Sequence, residues 1–451
     1  MRLWAASLVL LPGPALACAL PPSAILLLPT GAYIFAAATA VGLTAVLGAL
    51  SQNLPAMQPH LVADRRIKLP VTLISYIGFL CFIGLVLIGF FGSRDPMHNL
   101  MTLVFWTGVW IALPLASMVF GNIWRALNPW TAPVRIARTL LGRTSSAGLS
   151  AFGVWPAVAG YAGFGWFQIV SLYPDDPAVL AQTAIIYWLI IFAVAVIEGE
   201  AWLEQGEFLT VFFGYVARIS PLWLVQDGAR ARLFVGAPGT QVLRMDPLPP
   251  SAVAFVTLAL AVLTFDGLSE TFWWLALIGQ NPLEFAGRSA VIWVNSAGLV
   301  SVWALMAGLI LGVLWLSRRV GGFGYSAGPV MLSFLAIAGG YHAAHHLVTL
   351  LTTGQYTLAA LDDPLFRGDS LLGLPFAYVS FGFLADAARM NLIYATQLAV
   401  ILGAHVLAVV LALKLTSRSG TNTAAAHLPM TALMVAFTVL GLWLLSTARG
   451  A

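Results

Sequence analysis

Long apolar stretches, separated by short polar connections, alternate along almost the whole chain. Ten of these stretches are long enough to cross a hydrocarbon core, which is about 30 Å thick and takes roughly 20 residues of helix. Their approximate ranges are 28–49, 70–92, 100–121, 152–173, 179–200, 251–272, 290–316, 328–352, 391–415 and 428–447. The pattern predicts an all-α fold, a polytopic transmembrane helix bundle of about ten helices, and its first expected partner is the lipid bilayer.

The composition agrees with this pattern. Hydrophobic residues make up 60% of the 451 residues and charged residues only 8%, whereas about 25% charged is usual in soluble domains. There is no basic stripe with interleaved aromatic residues, so nucleic-acid binding is not expected. Two cysteines, Cys18 and Cys81, are too few for a disulfide framework or a thiolate metal site.

The first 17 residues predict a cleavable secretory signal, because residues 1–17 combine one positive charge, a short apolar run and an Ala-Leu-Ala end. Cys18 follows directly, but Ala15 stands where a lipoprotein signal would have leucine. Lipidation of Cys18 and an uncleaved signal anchor are the alternatives. We expect residues 18–451 to form a single transmembrane helical domain.

The basic residues predict an orientation. If the mature N-terminus lies outside, fifteen of the 21 Lys and Arg residues fall in inner connections, as the positive-inside rule requires. We therefore expect a bacterial inner-membrane protein with both mature termini in the periplasm. The long cytoplasmic connections are then 121–150 and 198–250, and the long periplasmic connection is 353–391, whose aromatic-rich second half could form a lid.

Connection 121–150 alternates arginines with bulky apolar residues. This predicts an amphipathic interfacial helix, interrupted at Asn128 and Pro129, that anchors on anionic headgroups. In connection 198–250, the apolar segment from Phe208 to Tyr215 is too short to span, so we expect it to be re-entrant or interfacial.

Connection 198–250 also begins with four glutamates, and near its end ARARLFVGAPGTQVLRMDPLPP predicts a small hairpin. The glutamates favour a solvated acidic helix end, with a funnel for incoming cations as the alternative. They are Glu198, Glu200, Glu204 and Glu207.

Ionisable side chains inside the predicted spans converge on the outer leaflet. Each costs on the order of 3 kcal/mol or more in hydrocarbon unless it is partnered, so we expect them to meet in the bundle interior. The stretch GGYHAAHHLVTLLTTG in the eighth span places His342, His345 and His346 within about 100° of one helical face. Asp266 lies in the outer half of the sixth span and His405 near the centre of the ninth.

A carboxylate with several imidazoles is the donor set of a zinc or non-haem iron site. The candidate ligands of a divalent metal ion, zinc or iron, are therefore Asp266, the trio His342, His345 and His346, and His405. We assign catalytic roles to Asp266, His342 and His346, the two histidines acting as base or extra ligand. Water activated by such an ion near neutral pH would attack an ester or phosphoester.

Three other interpretations of these residues stay open. Asp266 paired with one histidine would make a proton relay without metal. His345 and His405 on facing helices would suit axial ligation of a haem. His405 by itself would suit an interhelical hydrogen bond.

Two resemblances bear on function. HAAHH matches the HxxHH box of membrane fatty-acid desaturases and hydroxylases, but those enzymes use several such boxes and this chain has one. A wider resemblance is carried by GNIWRALNPW (121–130), EGEAWLEQGEFLTVFFGYVARISPL (198–222), TFDGLSE (264–270), YHAAHHLVTLLTTGQ (341–355) and IYATQLAVILGAHVLAVVLA (393–412). With these stretches the chain resembles a family of bacterial polytopic membrane proteins usually labelled fenitrothion hydrolase.

This resemblance implies hydrolysis of an organophosphorus triester by a metal-activated hydroxide. It implies no counterparts of His342 and His346, which directs the expected ligand set to Asp266, His345 and His405. The positions with implied counterparts are Glu200, Asp266, His345, Gln355, Gln397 and His405.

The leading hypothesis is therefore a metal-dependent hydrolase acting on an apolar organophosphorus or related ester, a hydrophobic small molecule that reaches the site from the outer leaflet. The alternative is a transporter or permease that uses the same residues for an ion, a proton or a metal. The chain has no clear inverted repeat, which weighs against the transporter. Partner subunits are not indicated by any pattern.

Overall fold

A computed structural model of the protein describes residues 30–51, 54, 56–284, 287–321, 326–373, 379–417 and 424–447. The expected signal peptide, residues 1–17, and Cys18 lie outside these ranges. The helices of the first half are α1 Thr30–Leu50, α2 Val71–Phe91, α3 Leu100–Leu103, α4 Leu113–Phe120, α5 Trp124–Leu127, α6 Thr131–Leu140, α7 Trp155–Ile169, α8 Pro177–Glu198, α9 Leu203–Gly206 and α10 Phe208–Val216. Those of the second half are α11 Pro250–Ser269, α12 Phe272–Leu277, α13 Arg288–Gly321, α14 Ala327–Met331, α15 Phe334–His345, α16 Leu347–Asp362, α17 Ala387–Ser417 and α18 Ala424–Ser446. A π-helical segment, Val104–Ala112, joins α3 to α4.

Nine spans in the described ranges are long and apolar enough to cross a membrane. They are α1, α2, the continuous segment α3 to α4, α8, α11, α13, the segment α14 to α15, α17 and α18. Helix accounts for 73% of the described residues, which confirms the predicted all-α polytopic bundle and makes this a multi-pass membrane protein. The remaining predicted stretch, 152–173, contains the 15-residue helix α7, which is shorter than the roughly 20 residues that a crossing needs.

The spans differ in how far the bundle encloses them. In α11, 78% of the most apolar 18-residue window is buried, and in α14 to α15 72%, compared with 11% in α2. α11 packs against α7, α13 and α15, and α15 packs against α17. Leu73 and Ile77 of α2 lie exposed on the outside, as expected of side chains that contact lipid. The candidate site residues Asp266 and His345 are therefore carried by the two most enclosed spans.

The short apolar helix α10 lies inside the bundle. It packs against α4, α7 and α15, and its side chains from Phe208 to Phe213 are buried. The sequence left a re-entrant and an interfacial placement open for this segment, and burial on several sides favours the re-entrant one. α10 consequently reaches the histidine-bearing helix, where Phe212 contacts the ring of His342 at a centroid separation of 5.7 Å.

Connection 121–150 forms two helices, α5 and α6, that are separated at Asn128 and Pro129 as predicted. The Asn128 side-chain oxygen accepts hydrogen bonds from the backbone N–H groups of Trp130 and Thr131, at 2.9 and 3.3 Å. An asparagine oxygen that accepts from the backbone two residues on stabilises a turn, so the break before α6 is built into the sequence.

α6 is tied to the end of α8 by its arginines. Arg135 donates two hydrogen bonds to the Glu200 carboxylate, at 2.9 and 2.6 Å, and this bonding raises the pKa of Arg135. Arg138 donates to the Val196 carbonyl at 2.8 Å, one of the last carbonyls of α8, where a cation is favoured. Leu140 lies exposed on the other face. Anchoring of this face on the bilayer stays a prediction.

A small antiparallel sheet, of strand order β1-β3-β2, lies outside the helices. Its strands are β1 His60–Arg65, β2 Leu222–Asp227 and β3 Arg230–Val235. The β2–β3 turn uses Gly228 at a φ of 56°, a left-handed conformation that suits glycine. The sequence predicted this hairpin within residues 229–250. In the structure the hairpin lies earlier and consists of β2 and β3, with Trp223 paired to Phe234.

The long connection expected at 353–391 is shorter, because α16 continues to Asp362 and α17 begins at Ala387. Part of the expected lid, residues 374–378, lies outside the described residues. The part after it folds back on α16, where Gln355 exchanges hydrogen bonds with the backbone of Ser380 at 3.1 and 2.9 Å.

Candidate metal centre

Asp266 and His345 meet where two enclosed helices end. Asp266 lies in the last turn of α11, and His345 is the last residue of α15. His346 interrupts the helix between α15 and α16, with φ −91° and ψ 4°. The C-terminal end of α11 carries a partial negative charge beside the Asp266 carboxylate, which favours a cation at this point.

The carboxylate of Asp266 is hydrogen-bonded to the ring of His345, with 2.8 Å between Oδ2 and Nε2. The side chains are 19% and 7% exposed, respectively. Because an ionised carboxylate only accepts, a neutral His345 donates from Nε2 and carries its lone pair on Nδ1. That Nδ1 is buried and has no hydrogen-bond partner among the described residues. The pair therefore fixes the orientation and tautomer of His345.

His346 completes a group of three. One ligand atom from each of Asp266, His345 and His346 lies within 4.8 Å of the others, and the rings of His345 and His346 are 4.8 Å apart at their centroids. One carboxylate with two imidazoles is the donor set that zinc and non-haem iron use when a coordination position stays open. The residues present therefore fit a divalent metal ion.

The ring of His345 is packed closely by Tyr341 and by the backbone of α11. Tyr341 stacks on His345, with centroids 5.7 Å apart. A Cβ placed on Gly267 would lie 3.0 Å from the Tyr341 hydroxyl and 3.6 Å from Cε1 of His345. Glycine at 267 thus allows α11 to approach the two rings.

His342 lies beside the group and is held by the π-helical segment. Its Nε2 is 3.0 Å from the carbonyl oxygen of Trp110, and its ring is 4.6 Å from that of His346. Pro114, four residues after Trp110, has no N–H to bond that carbonyl in the α-helical pattern. Because the carbonyl can only accept, Nε2 carries the hydrogen and Nδ1 is the acceptor. π-helical turns occur frequently at functional sites.

His405 is not a member of the three-residue group. Its Nδ1 is hydrogen-bonded to the Ile401 carbonyl one turn earlier, at 2.9 Å, and its Nε2 is buried without a hydrogen-bond partner among the described residues. In the structure, His346 occupies the place in the group that the sequence analysis gave to His405. Haem ligation by His345 and His405 stays a prediction.

The other positions implied by the family resemblance have separate roles. Gln397 donates to the carbonyl of Ala344, at 2.8 Å, and so supports the backbone directly before His345. Gln355 binds the returning connection, and Glu200 pairs with Arg135. Of these three residues, Gln397 is therefore the one that contacts the backbone next to a candidate metal ligand.

The glutamate cluster does not form a solvated helix end as a unit. Glu207 is fully buried, Glu200 pairs with Arg135, and Glu198 accepts from the backbone of Ala147 at 2.8 Å. Glu204 is the exposed member. The prediction of a solvated acidic helix end is wrong for Glu198 and Glu207, which are buried, and the cation funnel stays a prediction.

Sequence reasoning missed Trp110, whose ring packs beside His342 with centroids 5.2 Å apart, and Tyr161, whose ring packs against Trp110 at 6.2 Å. Pro114 was the available signal for Trp110, because a proline inside a span leaves a carbonyl unbonded. The pattern GxSxG also occurs, as GYSAG at 324–328. Its Ser326 directly precedes helix α14, and residues 322–325 before it lie outside the described residues.

No protein-family model matches the chain, and no curated protein or solved structure is detectably similar to it. The resemblance to proteins labelled fenitrothion hydrolase therefore stays a prediction. The site rests on its own geometry, a carboxylate and two imidazoles gathered where two enclosed helices end inside a membrane bundle.

Proposed function

We propose that this protein is a bacterial inner-membrane hydrolase in which Asp266, His345 and His346 hold a divalent metal ion, zinc or iron. Its substrate is an apolar organophosphorus or related ester that partitions into the outer leaflet. The observation that carries the proposal is the clustering of these three side chains within 4.8 Å. The cleaved signal peptide and the periplasmic location of both mature termini belong to the same proposal. The first is supported by the pattern of residues 1–17, the second by the distribution of basic residues.

The cost of burying polar groups supports a bound cation. Asp266 and His345 share one hydrogen bond, but Nδ1 of His345 is buried without a hydrogen-bond partner among the described residues; a cation would partner this buried lone pair, which is costly inside a membrane bundle when left unpartnered. When bound, a divalent ion supplies Lewis-acid chemistry, lowering the pKa of water towards neutrality and polarising the ester oxygen.

The chain's own residues have separate tasks in this scheme. Asp266 holds the His345 ring in one tautomer, as carboxylates do for metal-bound histidines. His342 offers Nδ1 as a proton acceptor beside the group. The water oxygen bonds to phosphorus, its proton passes to His342, and the aryloxide or alkoxide leaves with the electron pair of the broken P–O bond.

Metal analysis of the purified protein in detergent tests the proposal. Wild type is expected to contain about one metal ion per chain, and His345→Ala and His346→Ala are expected to lose it. His405→Ala is the matched control, since it removes a buried intramembrane histidine outside the group. Release of 4-nitrophenolate from a 4-nitrophenyl thiophosphate triester should follow the metal content. Metal loss in His405→Ala with retention in His346→Ala would contradict the assignment.

A second candidate function, transport of an ion, is favoured by the interruption at His346. Secondary transporters place their ion sites at breaks in discontinuous membrane helices, and here the break lies within the ligand group. Proteoliposomes distinguish the two functions. Accumulation of metal inside vesicles without cleavage of the ester would favour the transporter, and turnover without accumulation would favour the hydrolase.

A further inference from the structure

A groove lies between the first half of α11 and the middle of α13. Its volume is about 280 Å³, near the lower end of the roughly 300–1,000 Å³ that is typical of small-molecule pockets. α13 is one of the less enclosed spans, with 22% of its most apolar window buried, and its Leu311 is 44% exposed where it lines the groove. The groove is therefore open to the surroundings of the bundle, which in a membrane are lipids. The side chains that line it from the two helices include Val253, Ala254, Thr257, Trp303, Ala307 and Leu311.

The polar side chains that line the groove are already hydrogen-bonded. The indole Nε1 of Trp303 donates to the Thr257 hydroxyl at 3.2 Å, and that hydroxyl donates to the Ala254 carbonyl at 3.0 Å. The other described side chains that line the groove are apolar. An occupant therefore gains from burial of hydrocarbon and not from hydrogen bonds, which suits an acyl chain and does not suit an ester group or an ion.

The groove lies at the depth of acyl chains. Trp315 of α13 is 59% exposed, and tryptophans near the ends of spans mark the membrane–water interface. Leu311 and Trp303 lie about 6 and 18 Å deeper along the helix, at 1.5 Å per residue. Half of the hydrocarbon core is about 15 Å thick. The groove thus runs from just beneath the headgroups to about the middle of the bilayer.

Two arginines lie in the last turn of α13, directly beyond the groove. Arg318 follows Leu311 by seven residues, so the two positions are within about 20° of each other on the helical face and about 10 Å apart along the axis. Arg319 lies over the ring of Trp315, with 5.0 Å between its guanidinium carbon and the ring centroid. Arginines at the level of the headgroups attract anionic lipids.

The neighbouring connection does not cancel this charge. The residues directly before α11 include one exposed base, Arg244, and one exposed acid, Asp246, which offset each other. The two arginines of α13 therefore leave an excess of positive charge at this end of the groove. A phospholipid with a net negative charge is favoured here over a zwitterionic one.

We propose that the groove binds one acyl chain of an anionic phospholipid of the bilayer, whose phosphate is bound by Arg318 and Arg319. The second acyl chain remains in the bilayer. Thr257 precedes Asp266 by nine residues, about 13 Å along α11, so the lipid site is separate from the metal group. This inference does not depend on the proposed hydrolase, and it stands or falls whether or not the protein holds a metal ion.

Native mass spectrometry of the full-length protein, titrated in detergent with a defined lipid, tests the proposal. The two probes are phosphatidylglycerol and phosphatidylcholine with identical acyl chains, so they differ in net charge. Each arginine at the headgroup level contributes about fivefold to the binding of an anionic lipid. Wild type should therefore bind one phosphatidylglycerol at least about fivefold more tightly than phosphatidylcholine.

Ala307→Phe tests whether the chain lies in the groove, because its ring takes up part of the space. Both lipids should bind about tenfold more weakly, as expected when about two methylene groups are no longer buried. Ala304→Phe is the matched control, since Ala304 is exposed on the same helix and does not line the groove. It should bind both lipids as wild type does. Ala307→Leu fills less of the groove and should lower both affinities about threefold, which keeps the test available if the phenylalanine variant does not fold.

The double variant Arg318→Gln/Arg319→Gln tests the headgroup contact. It should lose about tenfold in affinity for phosphatidylglycerol and keep the affinity for phosphatidylcholine. Arg65→Gln/Arg66→Gln removes the same charge from two exposed arginines that precede α2, and it should keep the preference for phosphatidylglycerol.

Three results would overturn the lipid site. Wild type binds the two lipids equally, the Ala307 variants bind them as tightly as Ala304→Phe does, or the two double variants lose phosphatidylglycerol to the same extent. The last result would mean that net charge alone, and not the end of α13, attracts the lipid.

Discussion

Two carboxylates in the apolar interior, Glu207 and Asp266, are satisfied to very different degrees. Glu207 accepts from the Tyr187 hydroxyl at 2.8 Å, from the backbone N–H groups of Leu209 and Thr210 at 2.9 and 2.7 Å, and from the Thr210 hydroxyl at 2.6 Å. Among the described residues, the carboxylate of Asp266 is hydrogen-bonded by His345.

The surroundings of the two groups differ in the same way. Around Glu207 the network continues, because the Thr210 hydroxyl also accepts from Trp124 and Asn128, at 3.2 and 3.0 Å. Around Asp266, ring nitrogens of His345 and His342 are left without hydrogen-bond partners among the described residues. A saturated carboxylate holds elements together, whereas one surrounded by unused donors and acceptors is suited to bind something.

The largest expected effect is on stability, from Glu207→Ala. The change removes the cap of α10 and leaves the Tyr187 hydroxyl without its acceptor. We expect the free energy of unfolding in detergent to fall by about 3 kcal/mol or more, measured by denaturant titration. Glu204→Ala, at an exposed carboxylate, should leave it unchanged. A small effect of Glu207→Ala would show that the hydrogen bonds of Glu207 do not stabilise the fold.

Asp266→Asn should separate binding from stability. An asparagine oxygen can still accept from His345, so the unfolding free energy of the metal-free protein should change by about 1 kcal/mol or less. Metal affinity should fall at least 10- to 100-fold, since that is the typical cost of losing an orienting carboxylate alone and Asp266 is also a proposed ligand, as measured by competition with a chelating dye. Glu207→Gln should lower the free energy of unfolding and leave metal affinity unchanged. Similar effects of the two changes on metal affinity would show that Glu207 and Asp266 do not differ in function.

Gly267→Ala probes the packing under the centre. The new Cβ would come within 3.0 Å of the Tyr341 hydroxyl, tighter than ordinary contact, so the stacked His345 ring must shift. We expect metal affinity to fall several-fold, since a ligand misplaced by a few tenths of an ångström coordinates less well. Gly308→Ala, where no atom lies within 4 Å of the new Cβ, should keep the affinity. Equal affinities in the two variants would show that Gly267 does not position His345.

Arg135→Met should have the smallest effect. The Arg135 and Glu200 side chains are 48% and 37% exposed, and an ion pair in such a setting contributes about 0–1 kcal/mol. Thermal unfolding in detergent should shift slightly, and more at low salt than at high salt. A large shift would mean that the exposed Arg135–Glu200 ion pair contributes as much to stability as the buried hydrogen bonds of Glu207.

Much of the fold could be read from the sequence because burial in lipid needs long apolar helices and little else. The break at Asn128 and Pro129 was also predictable, since its chemistry is local. The three-residue group could not be read in full. A helical wheel places His342, His345 and His346 on one face, but it does not show that the helix is interrupted at His346 or which neighbouring helix that face meets.

The chain by itself determined the membrane class, the positions of most spans and the list of intramembrane polar residues, because hydrophobicity and helical length are local properties. Tertiary structure alone decided that His346 rather than His405 joins Asp266 and His345. It also decided that Glu207 is saturated whereas Trp110 and Tyr161 have unused donors. These outcomes depend on how helices are rotated and interrupted relative to one another, and packing between distant segments sets that.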